Sequence, residues 1–365
     1  MTSFDNKAFF QELEKRQDWV NEYILQPRFV NRFQPEDVQS AVTAYIRYGG
    51  KRLRPAILMF SCGVVGGEEK RAIPAAAAVE IFHTWTLVHD DIIDRDSIRR
   101  GSPTVHVLQA NRSRDGRSGF KLENAEAQHY GISISILTGD IQHGWGISMM
   151  TELTSRNGID PQVTLDLIDE LDTKVLNTLV EGEVLDIQFS YRDIDSLTPE
   201  MIEDMLWKKT GALYEFCGRA GASIGLGEKD RELIDEVSSF ASKCGTAFQL
   251  QDDILGLIGK QTALGKPIGS DLREGKRTLI VYDAYQNSTD AEKEKLMSVL
   301  GNPNAAEWEI QEIIGLLKKK GGIDEVKARA QELIKQAMGH LARLPDNHYK
   351  KLLAQWAEFM ILREF

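Results

Sequence analysis

Residues 83–94 read HTWTLVHDDIID and end a strongly apolar stretch whose periodicity predicts a long α-helix. On that helix Asp90 and Asp94 lie one turn apart on one face, with Asp91 beside them and His83 two turns earlier. Like charges one turn apart destabilise a helix, so this arrangement needs a cation. Mg²⁺ suits it, because the ion binds one or two carboxylates, keeps waters and bridges to phosphates. The alternative is a solvated helix end, which the preceding apolar residues disfavour.

Helical periodicity extends over most of the 365 residues, and we find no long alternating pattern of the kind that predicts a strand. Further helices are predicted at about 55–65, 70–93, 130–155, 160–190, 198–224, 230–258, 276–287, 305–319, 322–343 and 346–362. Residues 107–128 are polar and carry two glycines, which predicts a long surface loop or lid. The sequence therefore predicts an all-α protein with a single domain over residues 1–365.

The composition limits which partners and which cellular compartment we expect. The chain has 44 basic and 55 acidic residues and a net charge of −11, which disfavours nucleic acids and anionic membranes as partners. Its three cysteines are widely spaced, as expected in a reducing compartment. No apolar stretch is long enough to predict a membrane span, and no secretory signal pattern is present. We therefore expect a cytoplasmic protein.

A second acidic cluster occurs in residues 248–256, FQLQDDILG, at the end of another apolar helix. Asp252 and Asp253 are adjacent, but the position one turn later is Gly256 rather than a carboxylate. Taken alone, this half-cluster is more typical of a helix end than of a metal site.

Four segments rich in glycine and cations surround the acidic clusters in the sequence. They are GGKRLRP at 49–55, RRGSPT at 99–104, KTG at 209–211 and GKPIGSDLREGKRT at 265–278. Any one of them is a weak signal, because surface loops often have this composition. Their order suggests a cavity with carboxylates on two facing helices, metal ions between them, and two phosphate-bearing substrates held by the cations.

Together these segments resemble the trans-isoprenyl diphosphate synthases, and in particular the archaeal-type geranylgeranyl and farnesyl diphosphate synthases. The match covers residues 49–55, 83–106, 209–211, 248–259 and 265–278. The resemblance implies an all-helical isoprenoid synthase bundle with a central active-site cavity, usually in a homodimer. It also implies a transferase that adds isopentenyl diphosphate head to tail to an allylic diphosphate bound through three Mg²⁺ ions.

The resemblance implies a role for each matching residue. The implied magnesium ligands are Asp90, Asp91, Asp94 and Asp252. The implied contacts to the allylic diphosphate are Arg99, Lys209 and Lys266. The implied isopentenyl diphosphate site consists of Lys51, Arg54, His83 and Arg100. The oxygens implied to stabilise the carbocation belong to Thr210 and Gln249.

Two positions depart from the usual family pattern. Gly256 replaces the third aspartate of the second motif, as in archaeal-type relatives, and we expect activity to survive because Asp252 is the main ligand. Glu183 stands where many relatives have glutamine. Residues 107–128 also resemble an insertion relative to the family.

The residue five positions before Asp90 predicts product length. This residue is Trp85, and in the family an aromatic side chain here accompanies short products. We predict geranylgeranyl diphosphate, with twenty carbons, and farnesyl diphosphate, with fifteen, as the alternative.

Two other function classes stay open on sequence alone. A class I terpene cyclase also uses an acidic helix, but it usually has a different second motif and needs no isopentenyl site. A non-catalytic regulatory subunit of a prenyl synthase tends to lose the first acidic motif, which is intact here.

Overall fold

The computed structural model describes residues 6–227, 230–259 and 268–362, and nearly all regular structure in these ranges is helical. The all-α prediction is therefore confirmed. By its contacts the chain divides into two compact units, Met1–Ile168 with Ala220–Lys229 and Asp169–Arg219 with Asp230–Phe365. Among the described residues, no helix is both long and apolar enough to span a membrane.

The first unit is built around one long buried helix. Its helices are α1 (Asn6–Ile24), α2 (Pro27–Val30), α3 (Glu36–Arg47), α4 (Leu53–Val64), α5 (Ile73–Ile93), α6 (Val105–Arg114), α7 (Asn124–Met150), α8 (Glu152–Ser155) and most of α9 (Pro161–Asp169). A 3₁₀ turn, Glu69–Ala72, precedes α5. Two short antiparallel strands, β1 (Ile98–Arg99) and β2 (Ser102–Pro103), follow it. Four buried alanines, Ala75–Ala78, give α5 a slim profile, and α4 and α7 pack against it.

The second unit is centred on α13. Its helices are α10 (Leu176–Tyr191), α11 (Pro199–Leu206), the first part of α12 (Ala212–Leu226), α13 (Arg231–Ile258), α14 (Ser270–Glu274), α15 (Leu279–Gln286), α16 (Asp290–Val299), α17 (Glu307–Lys319), α18 (Gly322–Ala342) and α19 (His348–Leu362). Two π-helical turns, Glu170–Val175 and Trp207–Gly211, precede α10 and α12. A 3₁₀ turn, Ile194–Ser196, follows α10. The fully buried Trp356 packs its ring 5.6 Å from that of Tyr214, and α18 packs along α13.

The prediction of a surface loop at 107–128 is wrong over most of that range. Helix α6 covers its first part, and α7 begins at Asn124. In α6, the polar side chains of Gln109 and Arg112 are buried against α3: Gln109 Nε2 donates to the Asp37 carbonyl at 3.1 Å, and Arg112 Nε donates to Asp37 Oδ1 at 2.8 Å. Because these partners are distant in sequence, composition alone could not reveal that the first part of the segment is a packed helix. Residues 115–123 form a loop, as predicted, and most of their side chains are exposed.

Most predicted helices are observed, with ends that shift by a few residues. The stretch predicted at 160–190 is interrupted by the first π-helical turn, and the helix predicted at 130–155 begins earlier, at Asn124. Helix α16 was not predicted, although its capping box at Thr289 and Glu292 is a recognisable start signal. The two short strands were not predicted either, because they are too brief to show a periodicity.

Candidate active site

The basic loop at 49–55 is organised by a buried arginine that the sequence analysis did not single out. Arg52 has a left-handed backbone (φ 49°), and its side chain is almost fully buried. Its Nη1 donates to Glu80 Oε1 at 2.8 Å, and its Nη2 donates to the Ile46 carbonyl at 2.8 Å. With Arg52 turned inward, its neighbours remain at the surface or half-buried, Lys51 exposed and Arg54 partly buried.

Arg54 and His83, both predicted for one diphosphate site, are in direct contact. Arg54 Nη1 lies 3.1 Å from His83 Nε2, which therefore accepts, because a guanidinium can only donate. Burial, together with the charge of Arg54, lowers the pKa of His83 well below its usual value. His83 is thus a neutral acceptor that orients Arg54, rather than an additional cation.

The first acidic motif divides its carboxylates between two environments. Asp90 and Asp94 are partly exposed at the end of α5, whereas Asp91 is fully buried. Arg99 Nε donates to both Asp91 oxygens, at 2.8 and 2.9 Å, and the Tyr45 hydroxyl donates to Oδ2. Burial lowers the pKa of Arg99, but the hydrogen bonds and charge of Asp91 outweigh it and raise that pKa above its ordinary value.

Arg100 connects the short β-hairpin to the basic loop. Its Nη1 donates to the carbonyls of Tyr45, at 3.1 Å, and Gly49. A Cβ on Gly50 would lie 2.5 Å from Arg100 Nη1, and the φ of Gly50 is +131°, so this position requires glycine. The predicted isopentenyl-site residues Arg54, His83 and Arg100 all lie in the first unit, and the charge of Arg100 contributes to the lowered pKa of His83, after burial and the charge of Arg54.

Trp85 is part of an aromatic cluster on the α5 helix. Its ring centroid lies 5.0 Å from Phe82, 5.6 Å from His143 and 6.0 Å from His89. His89 and His143 were not among the predicted site residues. The structure shows that they hold the indole from both its own helix and α7.

In the second unit Lys209 lies in the π-helical turn Trp207–Gly211 and is paired with two carboxylates. Its Nζ is 2.6 Å from Asp186 Oδ2 and 2.9 Å from Glu183 Oε2. Gly182 allows this approach, because a Cβ there would collide with the backbone nitrogen of Lys209. Glu183 is thus an ionic partner of the predicted diphosphate ligand.

Thr210, Gln249 and Asp253 form a hydrogen-bonded chain. Thr210 Oγ1 donates to Gln249 Oε1 at 2.8 Å, and Gln249 Nε2 donates to Asp253 Oδ1 at 3.0 Å. Burial, followed by the charge of Asp271, raises the pKa of Asp253 well above its usual value. Asp252, the predicted metal ligand, is partly exposed, so the second motif also has one exposed and one buried carboxylate.

The space beside Gly256 is occupied by another acid. A Cβ on Gly256 would lie 3.2 Å from Asp271 Oδ2. A carboxylate from α14 thus stands close to the position where the usual third aspartate would extend. Lys266, the remaining predicted diphosphate ligand, lies outside the described residues.

The partly exposed carboxylates of each acidic motif suit magnesium whose coordination is completed by other ligands. Within residues 6–227, 230–259 and 268–362, no three His, Cys, Asp or Glu side chains are arranged to hold a metal by themselves. Mg²⁺ commonly binds through one or two carboxylates, with water and phosphate oxygens at its other positions. The partly exposed Asp90, Asp94 and Asp252 fit that pattern.

The sequence of residues 35–317 matches the family model for polyprenyl synthetase. The chain belongs to the polyprenyl synthetase family. The geranylgeranyl diphosphate synthase of Sulfolobus acidocaldarius is 36% identical over 318 residues, 86% of this chain and 87% of that protein. The predictions of an isoprenoid synthase fold and of a prenyltransferase are therefore confirmed.

Solved structures of polyprenyl synthetases have the same fold. The geranylgeranyl pyrophosphate synthetase of Pyrococcus horikoshii Ot3 is 33% identical, with a TM-score of 0.83, and the match covers 98% of this chain and 99% of that one. The geranylgeranyl pyrophosphate synthase of Corynebacterium glutamicum, complexed with isoprenyl diphosphate and magnesium, is 26% identical with a TM-score of 0.83, over 99% and 100% of the two chains.

The lowered pKa of His83 predicts a pH dependence of folding stability. Below its ordinary pKa of about 6.5, the unfolded chain binds a proton that the folded chain does not, so stability falls as pH falls, by up to about 1.4 kcal/mol per pH unit. His83→Gln keeps an acceptor for Arg54 and removes this dependence. Urea unfolding at about pH 7.5 and about pH 5 measures the difference. The exposed His129→Gln variant should behave as wild type, and an unchanged dependence in His83→Gln would contradict the assignment.

Proposed function

We propose that this polyprenyl synthetase condenses isopentenyl diphosphate with allylic diphosphates and that geranylgeranyl diphosphate is its main product. One observation carries the proposal: two separate cationic groups form in the first unit. Arg54 is oriented by His83, and Arg99 is anchored on Asp91 beside the acidic motif. Two diphosphate-bearing substrates need two such groups. Similarity to geranylgeranyl synthases favours the twenty-carbon product, and farnesyl diphosphate is the second candidate.

Each substrate has its own proposed ligands. Isopentenyl diphosphate binds at Lys51, Arg54 and Arg100, and neutral His83 aligns the Arg54 guanidinium for a bidentate contact. The allylic diphosphate binds at Arg99, Lys209 and Lys266. In the structure Lys209 is paired with Glu183 and Asp186, and these two carboxylates fix the position of its ammonium.

Asp90, Asp94 and Asp252 would hold magnesium, three ions in all by resemblance to the family. Bound Mg²⁺ neutralises charge on the departing diphosphate, as metal ions do in phosphate chemistry generally. The fourth predicted ligand, Asp91, has both oxygens engaged by Arg99 and Tyr45.

The carbon–oxygen bond between the allylic group and its diphosphate breaks, which gives an allylic cation and free diphosphate. The double bond of isopentenyl diphosphate attacks this cation to form the new carbon–carbon bond. A proton then leaves the isopentenyl carbon and is taken by the departed diphosphate. Thr210 donates its hydroxyl hydrogen to Gln249, so its oxygen lone pairs remain available to face positive charge. Asp253 holds the Gln249 amide in this orientation. Fixed dipoles of this kind stabilise charge with little reorganisation.

Product formation tests the proposed function directly. Purified protein is incubated with Mg²⁺, labelled isopentenyl diphosphate and, separately, dimethylallyl, geranyl or farnesyl diphosphate. We expect elongation that stops at twenty carbons. A terpene cyclase would instead release hydrocarbon from an allylic diphosphate alone, and a regulatory subunit would yield nothing. Absence of elongation with every primer would refute the proposal.

Trp85→Ala should lengthen the product, because it removes the largest side chain from the aromatic cluster on α5. Chromatography of the dephosphorylated products should show a shift beyond twenty carbons. Trp308→Ala is the matched control, since this indole is 68% exposed on α17 and outside the proposed site. An unchanged product spectrum in Trp85→Ala would remove Trp85 from the control of chain length.

Because the proposed roles are shared by both units, we propose that residues 1–365 act as one synthase domain, with 107–128 inserted relative to the family. A cytoplasmic location is proposed because Cys62, Cys217 and Cys244 are buried and form no disulfide among the described residues. The net charge of −11 supports small diphosphates, rather than nucleic acids, as partners.

We propose a homodimer that uses the exposed apolar side chains of α7. Ile132, Ile136 and Leu137 are 36%, 47% and 52% exposed, and they lie on one side of this helix. Light scattering should give twice the 41.1 kDa chain mass for wild type and one chain mass for a variant with Ile136→Glu and Leu137→Glu. Leu165→Glu, at an exposed apolar position on α9, should remain dimeric. A monomeric wild type would contradict the proposal.

A further inference from the structure

The buried hydroxyl of Tyr45 connects three helices of the first unit. Tyr45 lies on α3 and is 1% exposed. Its hydroxyl donates to Asp91 Oδ2 on α5 and accepts from the backbone nitrogen of Val105, the first residue of α6, at 3.1 Å. A tyrosine hydroxyl can do both at once, whereas phenylalanine can do neither. The hydrogen bond to Asp91 therefore has a defined direction and a fixed support.

The Asp91 carboxylate accepts hydrogen bonds from both Tyr45 and Arg99. Arg99 Nη2 donates to Asp91 Oδ1 at 2.5 Å, and its Nε donates to both carboxylate oxygens. Among the residues that the structure describes, none accepts a hydrogen bond from Arg99 Nη1. The guanidinium is thus held by one edge, and its other edge remains available to a ligand.

The hydrogen bonds to Asp91 also keep the Arg99 guanidinium from pairing fully with other nearby carboxylates. Arg99 Nη2 lies 3.8 Å from Asp90 Oδ2 and 4.0 Å from Asp96 Oδ2. If Asp91 were free to rotate, the guanidinium could move fully onto Asp90 and neutralise a proposed magnesium ligand. Holding Asp91 still therefore preserves both a cation for diphosphate and a carboxylate for metal.

We propose that Tyr45 is a positioning residue for allylic diphosphate binding, which acts by fixing Asp91 so that Arg99 presents its Nη1 edge to the diphosphate and leaves Asp90 to the metal. This inference rests on the proposed function, because it assigns the ligand of Arg99. In this inference Asp91 holds Arg99 in place, rather than coordinating a metal ion as the sequence motif suggested.

Tyr45→Phe tests the inference, with Tyr48→Phe as the matched control. Tyr48 follows α3, its ring lies 5.9 Å from that of Tyr45, and its hydroxyl makes no hydrogen bond to a residue that the structure describes. Each variant loses one hydroxyl from neighbouring tyrosines. We expect Tyr45→Phe to raise both the KM for the allylic diphosphate and the Mg²⁺ concentration for half-maximal rate about tenfold, the loss typical of a hydrogen bond to a charged group. The KM for isopentenyl diphosphate should not change, and Tyr48→Phe should match wild type.

Arginine Nε–H NMR signals give a readout that is independent of turnover. In wild type the Arg99 Nε–H should exchange slowly with solvent, and Tyr45→Phe and Asp91→Asn should both accelerate its exchange. Calorimetry with Mg²⁺ and inorganic diphosphate should show the same loss of affinity in both variants. Asp91→Asn keeps the side-chain shape and so supplies the test if Tyr45→Phe does not fold.

Two results would overturn the inference. One is an unchanged allylic KM in Tyr45→Phe with slow Arg99 exchange. The other is an equal rise of both KM values together with a lower melting temperature, which would indicate a purely structural role. Failure of wild type to elongate any primer would refute the proposed function instead, and the exchange measurement would still decide whether Tyr45 anchors Arg99.

Discussion

The buried ion pair between Arg52 and Glu80 is the interaction on which the site in the first unit depends. Removing one partner of such a pair commonly costs about 3–5 kcal/mol, because the other charge is left buried and uncompensated. Arg52 also donates to the carbonyls of Ile46 and Gly49, which turns the chain tightly between α3 and α4. The loop conformation that exposes Lys51 and places Arg54 beside His83 follows from this internal contact.

In both acidic motifs, one of two adjacent aspartates is partly exposed and the other is buried. Asp90 and Asp252 are partly exposed, whereas Asp91 and Asp253 are buried. The buried members differ in their neighbours. Asp91 faces the Arg99 cation and a tyrosine hydroxyl. Asp253 accepts from the Gln249 amide, but burial and then the charge of Asp271 raise its pKa. Adjacent residues on a helix point about 100° apart, so one of two adjacent acids can be exposed while the other is buried.

Helical periodicity was sufficient to predict the fold class, because the buried face of each long helix repeats at 3.6 residues per turn. It failed at 107–128, where the residues that face the interior are polar. Gln109 and Arg112 are buried because Asp37 lies opposite them, and that pairing depends on how α3 and α6 pack. A polar residue buried against a distant partner leaves no periodic signal in the sequence.

The sequence by itself determined the helical class and the order of acidic and basic segments, since residue types and local spacing are sufficient for both. Only the tertiary structure decided which member of each segment is exposed and which is held by other side chains. Arg52 turns inward while Lys51 stays exposed, Asp91 anchors Arg99, and Glu183 holds Lys209. These assignments depend on contacts between side chains distant in sequence or on different helices, and such contacts form only when the helices pack.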